Sequence, residues 1–401
     1  MNILFICDEY PPGLTGGIGI ITQSLAKEMV RQGHTVHVAG LYAHDYGGAS
    51  YYEDEGVHVW KVFYGWRMPA IPLLYSAQRK LPGALKRILF AKSDFKRYTR
   101  FIEELINKYK IDIVEHPDWV SYAYHMGLKN PVLPGLSIPV LLKFHGSQSY
   151  MSDVLHTKLR WQDARTDRQL IERADALSAV SAFAAGINKK LFDLQQTISV
   201  LYNGIRLPER PTLPRDKRTV LFAGSLVPNK GVFQLVKAWP LVLREVPDAK
   251  LIILGKGNQE PLKQMLSDET LRSVVFRGHQ PREVLLQHMR TATLSLLPSF
   301  TETFGLVAIE SMSNYCPTIF TKRTCGPEII RDGAEGLLVD PDNIEEIARK
   351  TILLLTDEQL RDELAIKGRA KVEQLFDISK CAADHIQLYT RVTGNYKNEQ
   401  R

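Results

Sequence analysis

The chain has 401 residues, 44% hydrophobic and 24% charged, with a formal net charge of +7. That length exceeds what one hydrophobic core serves and that balance excludes a disordered chain, so two domains of roughly 200 residues each are expected. No run of about 18 uncharged apolar residues occurs, and Cys7, Cys316, Cys325 and Cys381 form no CxxC pair, which argues against a membrane span, a disulfide framework and a metal site.

The chain opens with MNILFICDEYPP, a short apolar run without a basic leader, from which a cytoplasmic location is expected. The segments NILFIC, HTVHVAGL, VHVWKVF, IDIVEHP, PVLLKFHG, ALSAVS and ISVLYNGI are rich in Val, Ile and Leu and separated by helical stretches. Such alternation predicts a parallel sheet covered by helices on both faces. After the first of these strands comes DEYPPGLTGGIGI, where Gly13, Gly16, Gly17 and Gly19 lead into a helix over 18–32. Glycines there let the backbone approach a phosphate or a sugar, and a plain tight turn accounts for them equally well. The spacing is not GxGxxG, and no acid closes the second strand in the manner of a dinucleotide site.

Between Lys61 and Arg100 ten basic residues face one acid, Asp94, a local net of +9 that leaves −2 for the rest of the chain. Apolar groups interleave with the charges, as in MPAIPLLY and ALKRILFA. A basic amphipathic segment of this kind lies on an anionic membrane, grips an anionic glycan, or is simply a solvated helix face. Nucleic acid is not expected, because no binding motif accompanies the charge. Further on, LLKFHGSQ places His145 directly after a strand, where it either meets a sugar hydroxyl or is a satisfied structural histidine.

The stretch RLPERPTLPRDKR, 206–218, has three prolines and no periodicity, and the linker is placed there. Beyond it the strand pattern repeats with TVLFAGSL, AKLIILGKG, VVFRGH, TLSLLPS, PTIFTK and EGLLV, predicting a second Rossmann-like domain. FAGSLVPNKGVFQL runs from a strand through a loop to Lys230 beside a helix start, a position for a mobile cation facing a diphosphate. SLLPSFTETFGLVAIE reads strand, loop, helix: Glu302 lies in the loop, Glu310 lies one and a half to two turns into the helix, and Thr303, Phe304, Gly305 and Leu306 present helix-N-terminal amides between them. Two carboxylates that flank an anion site suit hydroxyl groups on either side of a phosphate. The only DxD, Asp340-Pro341-Asp342, precedes NIEEIARK, and Asp342 with Glu345 is read as a helix cap and capping box instead of a magnesium site.

Every one of these signals falls at the carboxyl end of a strand, where ligands bind in such sheets. With GGIGI, FHG, AVSAF, LYNGI, AGSLVPNKG, Glu302 and Glu310 separated by seven residues, and GPEIIRDGAEGLLVDPDN, the chain resembles the retaining glycosyltransferases of the GT-B fold, in the family 4 group of glycogen synthases and mannosyltransferases. The resemblance implies an α/β protein of two Rossmann-like domains with a ligand cleft between them: an acceptor domain, 1–205, completed by a C-terminal helix, 378–401, and a donor domain, 219–377. It implies transfer of a hexose from an NDP-sugar, with UDP or GDP favoured over ADP, to the hydroxyl of a saccharide or lipid-linked acceptor. Peripheral contact with an anionic membrane through 61–100 goes with a lipid-linked acceptor.

The resemblance also assigns roles. Glu302 bonds the donor sugar, Thr303 to Leu306 hold the diphosphate, Glu310 takes the ribose hydroxyls, Lys230 neutralises the departing diphosphate, Gly16 and Gly17 approach the donor, and His145 touches the sugar. No metal or other cofactor is implied. One position departs from the family pattern: Ser225 follows Gly224 where an arginine is usual, and Lys256, Arg277 and Arg323 are the candidates to replace its charge. Two other readings of the same scaffold are a non-catalytic sugar-nucleotide or glycan-binding protein and a sugar-nucleotide epimerase.

Overall fold

A computed structural model describes residues 1–13, 16–43, 49–64, 83–125, 132–133, 135–210 and 214–399. The chain divides into two compact units, the first comprising Met1–Val180, Ala184–Gly204 and Ile378–Arg401, the second Ser181–Phe183 and Ile205–Asp377. Each is an α/β sandwich around its own sheet.

The first sheet has eight strands, β1 (Asn2–Ile6), β2 (Thr35–Ala43), β3 (Tyr51–Asp54), β4 (Val57–Tyr64), β5 (Ile113–Pro117), β6 (Val140–Phe144), β7 (Ala176–Ala179) and β8 (Ile198–Val200), in the order β3-β4-β2-β1-β5-β6-β7-β8. All neighbours are parallel except β3, which pairs antiparallel with β4. Its helices are α1 (Gly17–Arg31), α2 (Gly83–Tyr109), α3 (Ser121–His125), α4 (Gln148–Val154), α5 (Trp161–Glu172) and α6 (Ala182–Leu191), whose first two residues count with the second unit. In β1 the period of two sends Ile3 and Phe5 to one face and Leu4 and Ile6 to the other, and all four are buried, which is why the strand reads as a continuous apolar run.

The second sheet has six parallel strands, β9 (Thr219–Ala223), β10 (Lys250–Leu254), β11 (Val274–Gly278), β12 (Leu294–Leu297), β13 (Thr318–Thr321) and β14 (Leu337–Val339), in the order β11-β10-β9-β12-β13-β14. Around it lie α7 (Val232–Glu245), α8 (Glu260–Lys263), α9 (Asp268–Leu271), α10 (Arg282–Thr291), α11 (Leu306–Ser313), α12 (Gly326–Ile329), α13 (Ile344–Thr356) and α14 (Glu358–Leu375). The stretch after Ile205 is pinned to this unit by two arginines. Arg369 donates to the Pro208 carbonyl at 2.9 Å, and Arg215 donates to the carbonyls of Ala292 and Asn314 at 2.8 and 2.9 Å.

The last helix, α15 (Ile378–Glu399), returns to the first unit, where Ile378, Ala382, Leu388, Tyr389 and Val392 join the core formed by α1 and one face of the sheet. Its residues 381, 385 and 389 recur every four positions and so share a face. There Tyr389 Oη donates to Glu115 of β5 at 2.5 Å, and His385 Nε2 accepts from the fully buried Lys143 Nζ of β6 at 2.7 Å. The His385 Nδ1–H donates to the Cys381 carbonyl at 2.6 Å, which fixes the neutral tautomer that this network needs.

Two local expectations are corrected, the cap of one helix and the setting of Lys61, and one open reading is narrowed. Helix α13 is capped one residue later than predicted: Asn343, not Asp342, accepts from the amide of Glu346, while the Glu346 carboxylate takes the amide of Asp340. Asp and Asn are adjacent and cap equally well, so spacing alone cannot choose between them. Lys61, counted with the basic segment, is buried on β4, donating to the Pro12 carbonyl at 3.1 Å with its ammonium 5.3 and 5.2 Å from the Tyr42 and Tyr52 rings. In the described part of α2 the apolar residues Ala91, Tyr98, Ile102 and Leu105 are buried in the domain core, leaving Lys92, Lys96 and Arg100 on a solvated face. Arg67, Arg79 and Lys80, and the side chains of Lys86 and Arg87, lie outside the described residues.

His116 of β5 gives this core a pH dependence. Both ring nitrogens are engaged in the neutral form, Nδ1 with the Pro117 carbonyl at 2.7 Å and Nε2 with Tyr122 Oη at 2.8 Å, and burial pushes the imidazole down to about 4. Because the unfolded chain takes up this proton near pH 6.5 and the folded chain only near 4, the contribution is intact above pH 6.5 and lost as the pH falls through that window. It amounts to about 3 kcal/mol. Denaturant unfolding from pH 7 to 4 should show this slope, and His116→Phe should flatten it; an unchanged slope in the variant excludes His116 as the source.

Candidate functional site

Apart from the β3-β4 hairpin, the strand order of each sheet reverses once, and the chemically equipped loops gather at those two points. In the second unit the reversal lies between β9 and β12. The loop after β9 carries Pro228, Asn229 and Lys230 as one 3-10 turn, and the loop after β12 carries Ser299 to Glu302. The two loops are joined by the amides of Phe300 and Thr301 donating to the Asn229 carbonyl at 2.9 and 3.3 Å, and by Asn229 Nδ2 donating to Thr301 Oγ1 at 3.1 Å. This zipper brings together side chains 72 residues apart: Lys230 Nζ lies 2.8 Å from Glu302 Oε1, which also accepts from Ser299 Oγ at 3.0 Å.

Two glycines make that approach possible. Gly231, at φ +71° ahead of α7, sits so close to the β12 loop that a Cβ would fall 1.8 Å from the Pro298 carbonyl oxygen. Gly305, at φ +76°, caps α11 in the left-handed region, where a side chain would meet Phe320 and Ile329. The first amides satisfied inside α11 are those of Ala308 and Ile309, both on the Gly305 carbonyl, so the amides that open the helix point out of its N-terminus. Gly224, Gly305, Leu306, Val307, Lys230, Ser299 and Glu302 are among the residues that line one cavity of about 110 Å³. An ammonium, a carboxylate and a helix N-terminus thus converge on a hollow of a few atoms' width, an arrangement suited to a polyanion carrying hydroxyl groups.

Glu310 stands apart from that hollow. It is 3% exposed, and its carboxylate pairs at 2.5 Å with the half-exposed guanidinium of Arg282 at the start of α10. Burial pushes the Glu310 carboxyl up, against the opposing pull of Arg282. Arg282 had no sequence signal: QPREVLL reads as any helix start. Ser225 is exposed, and of its three candidate substitutes Arg323 is engaged elsewhere, 2.7 Å from Asp340 and 2.6 Å from Asp342. Lys256 is exposed and its carbonyl accepts from the Leu226 amide at 2.7 Å, which sets it beside the Ser225 loop; Arg277 is exposed on β11. Glu328 was also missed as a site residue. Its carboxylate takes the amides of Ala182 and Phe183 at 2.7 and 3.2 Å, while Ser181 Oγ donates to the Thr303 carbonyl at 2.7 Å.

In the first unit the reversal lies between β1 and β5. There Asp8, just past β1, accepts from both the amide and the hydroxyl of Ser121, which opens α3 after β5. The glycines of the loop after β1 divide into two kinds. Gly16 has an internal reason to be glycine: the Glu9 carboxylate lies against the amides of Gly16 and Gly19, and a Cβ at Gly16 would come within 2.2 Å of Glu9 Oε2. At Gly17 a Cβ would meet nothing within 4 Å.

His145 follows β6, and its turn is stapled by Asp118, a residue that sequence reasoning left out. The two Asp118 oxygens accept from the amides of His145 and Gly146 at 2.9 Å each, and burial pushes this carboxyl up to about 7 in spite of those donors. Burial, with Lys143 adding to it, holds the His145 imidazole well below its ordinary range, so the ring is neutral near pH 7.

Two family models cover almost all of the chain: Glycosyltransferase Family 4 matches residues 15–208 and Glycosyl transferases group 1 matches residues 205–371. An uncharacterized glycosyltransferase of Methanocaldococcus jannaschii is 25% identical over 97% of this chain and 98% of its own length. A glycogen synthase of Mycobacterium tuberculosis is 25% identical over 97% of this chain and 94% of its own length. Among solved structures, sucrose-phosphate synthase from Thermosynechococcus elongatus superposes with a TM-score of 0.75 at 20% identity, covering 98% of this chain and 99% of that one, and so shares its fold.

Proposed function

We propose, for a chain that belongs to glycosyltransferase family 4 and has the GT-B fold, that its reaction is transfer of a hexose from an NDP-sugar to an acceptor hydroxyl with retention of configuration. The observation that carries this reading is the Lys230–Glu302 pair at 2.8 Å, set beside the N-terminus of α11 at the point where the strand order reverses. In the proposed reaction the amides that lead into α11, Thr303 to Leu306, receive the diphosphate, Lys230 turns from Glu302 toward the phosphate that gathers charge, and Glu302 accepts from a sugar hydroxyl. Glu310 takes the ribose hydroxyls. His145, neutral and held by the Asp118 staple, serves a sugar hydroxyl. Gly17, with open space where a side chain would stand, is the better of the two loop glycines for close approach to a ligand.

The bond from the anomeric carbon to the phosphate oxygen breaks as the bond to the acceptor oxygen forms on the same face, and the departing phosphate oxygen takes the acceptor's proton. Lys230 and the helix amides supply the positive charge this needs, and the DxD carboxylates are already neutralised by Lys322 and Arg323. No divalent ion is required in this scheme.

One observation favours the non-catalytic alternative, namely the exposed Ser225 in place of a cation. The two readings part in one experiment: titration calorimetry without metal using UDP, GDP and ADP, followed by release of nucleotide from the matching NDP-hexoses with and without oligosaccharide acceptors. Acceptor-stimulated release is expected with one donor. Binding without turnover supports the non-catalytic reading, release of free sugar without an acceptor supports the epimerase, and a trapped covalent glycosyl-protein overturns the same-face mechanism.

A further inference from the structure

Glu310 carries a cost that the reading above leaves unexplained, since a carboxylate almost shut off from solvent is a poor hydrogen-bond acceptor unless something keeps it charged. Side chains of a helix lean toward its N-terminus, and residues three and four apart share a face. Glu310 is therefore directed back along α11 toward Leu306 and Val307, both of which line the cavity. Across from it stands a cation, Arg282, the first residue of α10 and half exposed, so that it reaches the buried carboxylate from the solvent side at 2.5 Å.

We propose that Arg282 is a positioning residue for the donor's ribose: its guanidinium fixes the Glu310 carboxylate as an acceptor for the two vicinal hydroxyls, so that the pair, not Glu310 alone, distinguishes a ribonucleotide from a deoxynucleotide. This rests on the donor site proposed above. Burial pushes the Glu310 carboxyl up and Arg282 opposes it, so removal of the guanidinium leaves burial unopposed. A protonated Glu310 donates where it should accept and no longer matches two hydroxyl donors. Because Arg282 is at the surface end of the pair, its replacement removes charge and aim without opening a cavity.

The test is calorimetric titration of UDP and GDP and of their 2′,3′-dideoxy counterparts into the native protein, Arg282→Met, Arg282→Lys and Glu310→Gln. The native protein should favour one ribonucleotide over its dideoxy form by roughly ten- to a hundredfold. In Arg282→Met that ratio should collapse to within about threefold while affinity for the dideoxy form stays within about twofold, the pattern of a lost hydroxyl contact. Glu310→Gln, which puts an amide where the carboxylate stood, should lose the ratio as Arg282→Met does. Arg282→Lys, which keeps the charge, should keep part of the ratio and serves as the folding control. An unchanged ratio in Arg282→Met overturns the proposal, as does an equal loss for both forms, which would make Arg282 a phosphate contact. If the native protein binds neither ribonucleotide, the donor site itself fails and this inference fails with it.

Discussion

Lys230→Ala should lower kcat/KM for the donor by about 10²- to 10³-fold, most of it in kcat. The side chain is partly buried, shares the cavity with the amides that open α11, and makes a 2.8 Å contact with Glu302 that in the proposed reaction is exchanged for one with the leaving phosphate. Charge on that phosphate grows as the glycosidic bond breaks, so an ammonium held there stabilises the transition state more than the bound donor. The variant also removes the cation beside Glu302, and Lys230→Ala combined with Glu302→Gln separates that effect from the loss of the cation at the proposed phosphate site. Initial rates over a donor concentration series decide the matter: a decrease of less than about threefold in kcat excludes Lys230 from the chemical step.

The second large effect is on stability. Glu115→Ala and Lys143→Ala should each destabilise the first unit by about 3–5 kcal/mol, a shift in melting temperature on the order of 10 °C. Glu115 and Lys143 stand on adjacent parallel strands, in register with Leu141 and Pro117 respectively, and so face the same side of the sheet, toward α15. Burial pulls the Lys143 ammonium down and the Glu115 carboxyl up, and each is the first influence that opposes the shift of the other. Removing either strands the remaining charge in the core. Removing both, as Glu115→Leu with Lys143→Met and Tyr389→Phe, should recover most of the loss. Denaturant unfolding gives the answer, and single variants within about 1 kcal/mol of the native protein, or losses that simply add, would show that the two groups do not act as a pair.

What the sequence disclosed follows from what is local. Strands buried on both faces announce themselves as apolar runs, so β1, β9, β12, β13 and β14 were legible. Edge strand β3, YYED, alternates exposed and half-buried residues and was not among the predicted strands. The parallel order of each sheet placed Lys230 and Glu302 at carboxyl ends, which is why two residues far apart in sequence could be expected at one site. Partners without a local pattern stayed hidden. Arg282, Asp118 and Glu328 matter through what they touch, and each touches something 27 or more residues away: Arg282 meets Glu310, Asp118 the His145 turn, Glu328 the start of α6. Lys61 was misread for a related reason. Charge counting treats every lysine as solvated, whereas this one is set between two tyrosine rings.

The return of α15 to the first unit has a consequence for biosynthesis. A ribosome finishes β5 and β6 early, yet the helix that covers their Glu115 and Lys143 emerges only after residues 205–377 have been made. At 5–20 residues per second that interval lasts roughly nine to thirty-five seconds. Throughout it the nascent N-terminal sheet has one apolar face covered by α1 but not yet by α15, with a charged pair upon it, while the second unit, contiguous apart from three residues, already has its whole sequence available. The half of the protein that is translated first is therefore the half that completes its core last, and during that delay it is the part most exposed to chaperones and proteases.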